Sequence, residues 1–311
     1  MIRRRPPHGH KASGHNAAGL VFRVEDEHIE AANKPRNILE EIVWHKEVEI
    51  NEMRAKQPLV MLKQIIDRQP PARDWAQALR DAHERTGKPA LIAEVKKASP
   101  SKGVIQPDFD PVRIARAYEK GGAACLSVLT DKKFFQGGFE NLQYIRKAGV
   151  TCPLLCKEFV VEAYQVFMAR AKGADAVLLI AAVLPDQDLT YLLKVIKGLG
   201  MTALIEVHTQ HEMERVHNLE ATDPSYCVLG INNRDLGTFK VDLSNTNTLL
   251  ESEVGKQSLA EGYVWVGESG IFTSDDVAQV QSAGCRAILV GESLVREDDP
   301  ATAVKELLGL E

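Results

Sequence analysis

Leu91-Ile92-Ala93-Glu94-Val95-Lys96-Lys97-Ala98-Ser99-Pro100-Ser101 is a short apolar run with charges set into its end. It is too short for a core helix and has no polar face, so it reads as a strand buried on both sides. Runs of the same kind recur at 124–129, 153–156, 176–180, 203–207, 227–231, 264–266 and 287–290. Their spacing of roughly 20 to 36 residues fits a strand, a helix and two short loops. Amphipathic patterns at 111–120, 161–172, 189–199 and 274–283 fill the gaps. Glycine stands ahead of several strands, at Gly121-Gly122, Gly149, Gly173 and Gly284. There it can end a helix in the left-handed conformation and release the chain into the next strand. Eight parallel strands alternating with helices predict an α/β fold, a (β/α)8 TIM barrel. The structural alternative is an open doubly wound sheet, but no GxGxxG follows the first strand.

Working back from residue 91, the chain predicts a helical N-terminal extension over about 35–88. Ile38, Leu39, Ile42, Val43, Val48, Ile50 and Met53 recur at helical intervals from Asn37 to about Lys63. Asn37 is placed to cap that helix, with Glu40 three residues on. Pro70 and Pro71 break the region, and a further helix covers 74–85, before Gly87-Lys88-Pro89. Residues 1–34 lack sustained periodicity and read as a flexible tail, leaving 35–311 as one barrel domain. His8, His10 and His15 fall in that polar arm, where a disordered segment is a simpler reading than metal capture.

A chain of 311 residues accommodates one barrel of about 250 residues plus this extension. The formal net charge is −5, and nothing suggests the clustered basic excess of a nucleic-acid binder. No apolar run reaches the ~18 residues of a membrane span. The basic start Met1-Ile2-Arg3-Arg4-Arg5 has no hydrophobic segment behind it, so it is not a secretory signal. The five cysteines, Cys125, Cys152, Cys156, Cys227 and Cys285, include no CxxC pair and read as reduced, buried thiols. The expected compartment is therefore the cytoplasm, or the plastid stroma in a photosynthetic eukaryote.

A barrel of this type carries its site at the C-terminal strand ends. Glu94 and Lys96 are two apart and share one strand face. The third run ends in Lys157-Glu158, the fifth contains Glu206, and the sixth ends Asn232-Asn233-Arg234-Asp235. Charges in apolar parallel strands are costly unless paired. If the strands close, Glu94, Lys96, Lys157 and Glu206 meet and shift each other's pKa values, as acid–base sites do. Glu268-Ser269-Gly270 and Gly291-Glu292-Ser293 end the last two strands, where barrels commonly hold phosphate. Lys132-Lys133-Phe134-Phe135, ahead of Gly137-Gly138, is either a lid touching an aromatic ligand or a loop anchored by phenylalanine. His208, His211 and His217 read as surface histidines of one helix.

Taken in order, Glu94-x-Lys96, Ser99-Pro100-Ser101, Lys157-Glu158-Phe159, Leu204-Ile205-Glu206-Val207, Gly230-Ile231-Asn232-Asn233-Arg234-Asp235-Leu236, Glu268-Ser269-Gly270-Ile271 and Val290-Gly291-Glu292-Ser293-Leu294 resemble the indole-3-glycerol-phosphate synthases. The Asn37-Ile38-Leu39-Glu40 opening is similar to cyanobacterial and plastid-type members. The resemblance implies conversion of 1-(2-carboxyphenylamino)-1-deoxyribulose 5-phosphate to indole-3-glycerol phosphate with loss of CO2 and water. It implies no organic cofactor and no metal. It also implies roles: Lys157 as the acid of ring closure, Lys96 with Glu94 in dehydration, and Glu206 beside Asn232 stabilising positive charge. Arg234 and Ser99 would hold the substrate carboxylate. Glu268, Ser269, Gly270, Gly291 and Glu292 would line the substrate side, mainly with backbone N–H groups toward phosphate. A lysine of lowered pKa would suit the acid. The expected partner is a small phosphorylated substrate, with no nucleic acid and no membrane, and the chain is expected to be a monomer or weak homodimer. Two other readings stand beside it. One is another phosphosugar barrel enzyme such as phosphoribosylanthranilate isomerase, which calls for a Cys/Asp pair. The other is a barrel that binds a phosphate ligand without catalysis.

Overall fold

The apolar runs form eight parallel strands because each is flanked by helices that cover its outer face. In the computed structural model, which describes residues 2, 12–15, 21–24, 34–235 and 240–309, they close into a barrel. The barrel strands are β1 (Ala90–Val95), β2 (Cys125–Leu129), β3 (Leu154–Lys157), β4 (Ala176–Ile180), β5 (Thr202–Val207), β6 (Cys227–Asn232), β7 (Trp265–Glu268) and β8 (Ala287–Val290). Each pairs with the next, and β8 closes on β1 with Ile288 opposite Leu91 and Val290 opposite Ala93. This rules out the open sheet. The expected strands and the observed ones agree to within one or two residues, the largest difference being at β7, which runs on through Gly267 to Glu268.

Three helices precede the barrel: α1 (Ile38–Lys56), α2 (Leu59–Ile66) and α3 (Trp75–Thr86). Then come α4 (Pro111–Gly121), α5 (Phe139–Lys147), α6 (Ala163–Ala171), α7 (Asp186–Gly198), α8 (Gln210–His217), α9 (Ser244–Glu251), α10 (Glu253–Ala260), α11 (Ser274–Ala283), α12 (Glu292–Val295) and α13 (Pro300–Leu308). The single helical pattern expected from Asn37 to Lys63 is two helices. Pro58 cannot donate a backbone N–H, so α1 stops at Lys56 and α2 starts at Leu59. Asn37 does cap α1, accepting from the Glu40 N–H at 2.9 Å. The Glu40 carboxylate does not return to Asn37; it accepts from the Arg36 N–H at 2.8 Å. Gly122 ends α4 at φ 100° and Gly284 ends α11 at φ 119°, turning the chain into β2 and β8.

Two antiparallel pairs lie outside the barrel sheet: Ala12–His15 with Val21–Val24, and Ala98–Ser99 with Gly103–Val104. The first falls inside the stretch that the sequence reads as a tail, and four-residue strands are too short to leave a period. His8 and His10, with most of that stretch, lie outside the described residues.

The core follows from the pattern. Trp75, Ile92, Leu126, Leu154, Val177, Ile205, Val228, Val266 and Ile288 are fully buried. α2 packs against α6, and α3 against β1 and β2 at the barrel's other end. α1 instead brings Ile38, Leu39 and Ile42 to the C-terminal mouth. The N-terminal extension thus supplies a wall of the main cavity as well as exterior cover.

Candidate active site

Strand alternation decides which charges enter the barrel. Lys157 ends β3 pointing into the mouth, so its neighbour Glu158 points outward, toward α1. Glu94 on β1, Glu206 on β5, Asn232 on β6 and Glu268 on β7 are buried and line the same mouth. A cavity of about 180 Å³ opens there. It is lined by all twelve residues singled out above: Glu94, Lys96, Ser99, Lys157, Glu206, Asn232, Arg234, Glu268, Ser269, Gly270, Gly291 and Glu292.

The charges interlock. Lys157 Nζ lies 2.7 Å from Glu268 Oε2 and 3.4 Å from Glu206 Oε2. Lys96 Nζ donates to Glu94 Oε1 at 2.5 Å. The Asn232 amide hydrogen-bonds Glu206, and its Oδ1 accepts from the Arg234 N–H at 3.0 Å. Asn232 thereby ties the β5 carboxylate to the loop that carries Arg234.

Burial and neighbours set the protonation states. Burial raises the Glu268 carboxyl, the adjacent Glu206 charge adds to that, and Lys157 only partly offsets them, leaving Glu268 pushed up to about 7. Burial works against the Glu206 charge too, but Lys157, His208 and the Asn232 amide outweigh it and hold Glu206 below the usual carboxylate range. Two buried carboxyls in contact therefore divide one proton, with Glu268 the better holder. Glu94 is also lowered, burial being overcome by Lys96 and Lys157. The expected low-pKa lysine is not found at Lys157. Burial disfavours its charge, yet Glu268, Glu206 and Glu94 together raise its pKa well above the normal lysine value. Three carboxyls around one ammonium outweigh desolvation.

Gly230 is what lets the two carboxyls meet. It faces Glu206 across the β5–β6 ladder, and a methyl group there would sit 2.2 Å from Glu268 Oε1. Gly230→Ala is expected to push Glu268 off Lys157 and cut kcat about 10-fold. Its overpacking cost should be only ~1–3 kcal/mol. Steady-state kinetics beside urea unfolding would show this; wild-type turnover in a folded variant would mean that the Lys157–Glu268 contact is unimportant.

Opposite the charges, Ser269 and Gly270 follow β7 in the left-handed region, at φ 65° and 81°. They face the Gly291-Glu292-Ser293 turn after β8, where Ser293 Oγ donates to the Ile271 carbonyl at 3.2 Å. The Glu292 carboxylate turns aside to Arg296 at 2.7 Å and Lys102 at 3.9 Å. Its charge is thus turned away from the space between the two turns.

Phe135 lines the cavity, tilted against Phe159 with ring centroids 5.8 Å apart. Its loop is anchored: Asp131 Oδ1 accepts from the Phe134 and Phe135 N–H groups at 2.7 and 3.0 Å. The loop is thus anchored, through Asp131 and the Phe135–Phe159 contact, with Phe135 facing the cavity. Two features escaped the sequence reading. Lys46 of α1 is fully buried and paired with Asp131, Glu158 and Glu49 at 2.6, 2.9 and 2.7 Å. His208 is no surface histidine; it reaches the Glu206 carboxylate at 3.5 Å. The signal for it was its spacing, two residues after Glu206 and so on the same strand face. All five cysteines are buried free thiols. Among the described residues, no group of three or more His, Cys, Asp or Glu side chains is arranged to hold a metal ion. Nor is any described helix long and apolar enough to cross a membrane.

A closed parallel barrel with lysines and carboxyls interlocked at its C-terminal mouth defines a (β/α)8-barrel enzyme of the acid–base kind. The chain belongs to the indole-3-glycerol phosphate synthase family, whose model matches residues 39–307. It is 56% identical over 308 residues to the chloroplastic indole-3-glycerol phosphate synthase of Arabidopsis thaliana, covering 99% of this chain and 74% of that one. It is 57% identical over 274 residues to the indole-3-glycerol phosphate synthase of Microcystis aeruginosa, covering 88% and 90%. Among solved structures, 3-hexulose-6-phosphate synthase from Salmonella typhimurium superposes with a TM-score of 0.54 at 12% identity, over 71% of this chain and 97% of that one, a likeness of fold alone.

Proposed function

We propose that the cavity converts 1-(2-carboxyphenylamino)-1-deoxyribulose 5-phosphate to indole-3-glycerol phosphate, releasing CO2 and water, as a step of tryptophan biosynthesis. The observation that carries this reading is the Lys157 ammonium held between Glu206 and Glu268, in the same cavity as the Lys96–Glu94 pair. The reaction needs two acid–base events, and the cavity contains two lysine–carboxylate sets.

In the first event the ring carbon bearing the carboxylate attacks the ketone. Lys157 donates a proton to the alkoxide that develops on the ketone oxygen. Its raised pKa keeps the acid form filled at neutral pH, and the alkoxide is basic enough to draw the proton. Loss of CO2 then restores the aromatic ring. In the second event Lys96 protonates the departing hydroxyl and Glu94 takes a proton from the ring system, so that water leaves. Glu206, fixed by Asn232, faces the positive charge that builds on the anilino nitrogen. The guanidinium of Arg234, with Ser99, holds the substrate carboxylate, because a planar fork matches two oxygens. Backbone N–H groups of Ser269, Gly270, Gly291 and Glu292 cradle the phosphate, and Phe135, Phe159 and the α1 residues Leu39 and Ile42 pack on the aromatic ring. The protein acts as a monomer or weak homodimer in the cytosol, or in the plastid stroma of a photosynthetic eukaryote.

Appearance of indole fluorescence on adding the carboxyphenylamino substrate tests the reaction; no signal with the folded protein would remove the assignment. Phosphoribosylanthranilate turned over in its place would favour the isomerase reading. For Arg234→Ala, KM is expected to rise about 10-fold or more while kcat falls less, since holding the carboxylate is mostly ground-state binding. A large kcat loss at unchanged KM would instead give Arg234 a part in the chemistry.

A further inference from the structure

His208 stands just past the end of β5, two residues beyond Glu206, and its side chain is only 12% exposed. Its Nε2 lies 3.5 Å from Glu206 Oε1, and its Nδ1 lies 3.6 Å from Glu212 Oε2. The ring is held from both sides through its backbone. The His208 N–H donates to Glu212 Oε2 at 2.7 Å, and Asn245 Nδ2 of α9 donates to the His208 carbonyl at 3.2 Å. The ionisable groups that face it are Glu206 from β5, Glu212 from α8 and, at longer range, Glu268 from β7. Lys157 lies across Glu206, on the other carboxylate oxygen.

A neutral imidazole has one N–H and one bare lone pair. With a carboxylate oxygen opposite each nitrogen, the neutral ring would turn a lone pair toward one of them. Only the imidazolium presents a proton to both. We propose that His208 is a positioning residue for the reaction: its imidazolium brackets Glu206 from the side opposite Lys157, keeps that carboxyl ionised, and leaves the proton of the carboxyl pair on Glu268. The inference rests on the reading of Glu206 as the charged carboxylate of the site.

The charge balance agrees. Burial disfavours the charged ring, but the Glu212 and Glu206 carboxylates beside it outweigh that and raise the His208 pKa. The sign follows: the imidazolium, and the hold on Glu206, persist below that raised pKa and are lost as pH rises through it. Removing the ring charge lets the Glu206 pKa drift up. By reciprocity, removing Glu206 lowers the His208 pKa by the same amount.

Two measurements on the full-length protein test this. In His208→Asn the acid limb of kcat/KM, where Glu206 takes up its proton, is expected to move up by about one pH unit, in line with an opposite charge within ~4–6 Å. At neutral pH, kcat is expected to fall about 10-fold with KM within ~2-fold, the pattern of an interaction made in the transition state. The second measurement needs no variant at position 208. Carbon-13 histidine NMR of the wild-type protein should place the His208 titration above the ~6.5 of free histidine. In Glu206→Gln and in Glu212→Gln it should move down. A wild-type His208 titrating at or below the free value overturns the proposal. So does a His208→Asn pH profile that superimposes on wild type while Glu206→Gln is inactive. If Glu206→Gln itself keeps full activity, the reading of Glu206 fails first, and the two failures are told apart.

Discussion

Lys157→Ala is expected to lower kcat by ~10²-fold or more, the usual contribution of a positioned general acid. KM should change little, because the proton is delivered only in the transition state. The loss has a second signature. Lys157 is the ammonium between Glu206 and Glu268, at 3.4 and 2.7 Å. Without it two buried carboxyls face each other, with the Asn232 amide and His208 beside Glu206. One proton is then retained between them to higher pH than in the wild type, where Glu268 already stands at about 7. Residual activity in Lys157→Ala should therefore require a more alkaline pH. Both effects are read from indole fluorescence between pH 6 and 9, with circular dichroism as the check on folding. Near-normal turnover would take the central role away from Lys157. A hundredfold loss without any shift of the pH profile would leave the acid in place but disconnect it from the carboxyl pair.

How far the chain could be read in advance depends on what each residue's neighbours in sequence disclose. The strands were legible because a run such as 176–180 or 287–290 has no polar side to offer solvent. Glu94, Lys157 and Glu206 were legible for the converse reason: a charge in such a run needs a partner, and only barrel closure supplies one. The position of Lys46 was not legible. A lysine on an amphipathic helix normally lies on the solvated face, and its partners Asp131 and Glu158 are more than eighty residues away. His208 was hidden by the company it keeps. Read with His211 as the start of a helix it looks exposed; read with Glu206 as the end of a strand it falls on the same side as that carboxylate. Pro58 was in plain view, and the helical period on both sides of it masked the break. The protonation of Lys157 was misjudged because counting its neighbours requires the third dimension. Glu268, more than a hundred residues downstream in sequence, is the nearest of its three carboxyls.

The largest loss of stability is expected from Lys46→Ala. Its ammonium is buried from solvent and sits among Asp131, Glu158 and Glu49. Burial disfavours the charge, yet Glu158, Asp131 and Glu49 together keep it protonated. Taking it away leaves Asp131 and Glu158 buried with no cation, which costs about 3–5 kcal/mol. The sign of the pH dependence can be worked out. Without Lys46 the Glu158 carboxyl, already raised by burial, loses the charge that offsets it and rises further above its unfolded value, so folding takes up protons. The variant is then relatively best at low pH and loses stability as pH rises. Urea unfolding should show the full deficit near pH 8 and a smaller one near pH 5.5. Equal stability at pH 8 would mean that the cluster holds nothing together. The same substitution reaches the site by two routes. It frees the half of α1 that brings Ile38, Leu39 and Ile42 to the cavity. It also loosens Asp131, whose other oxygen caps the loop of Phe135. Both are contacts to the aromatic part of the proposed substrate, so KM should rise about 10-fold while the pH profile set by Lys157 and its carboxyls stays where it was. One buried lysine on a helix outside the barrel thus joins the N-terminal extension to the loops after β2 and β3, and the extension acts as a working wall of the pocket.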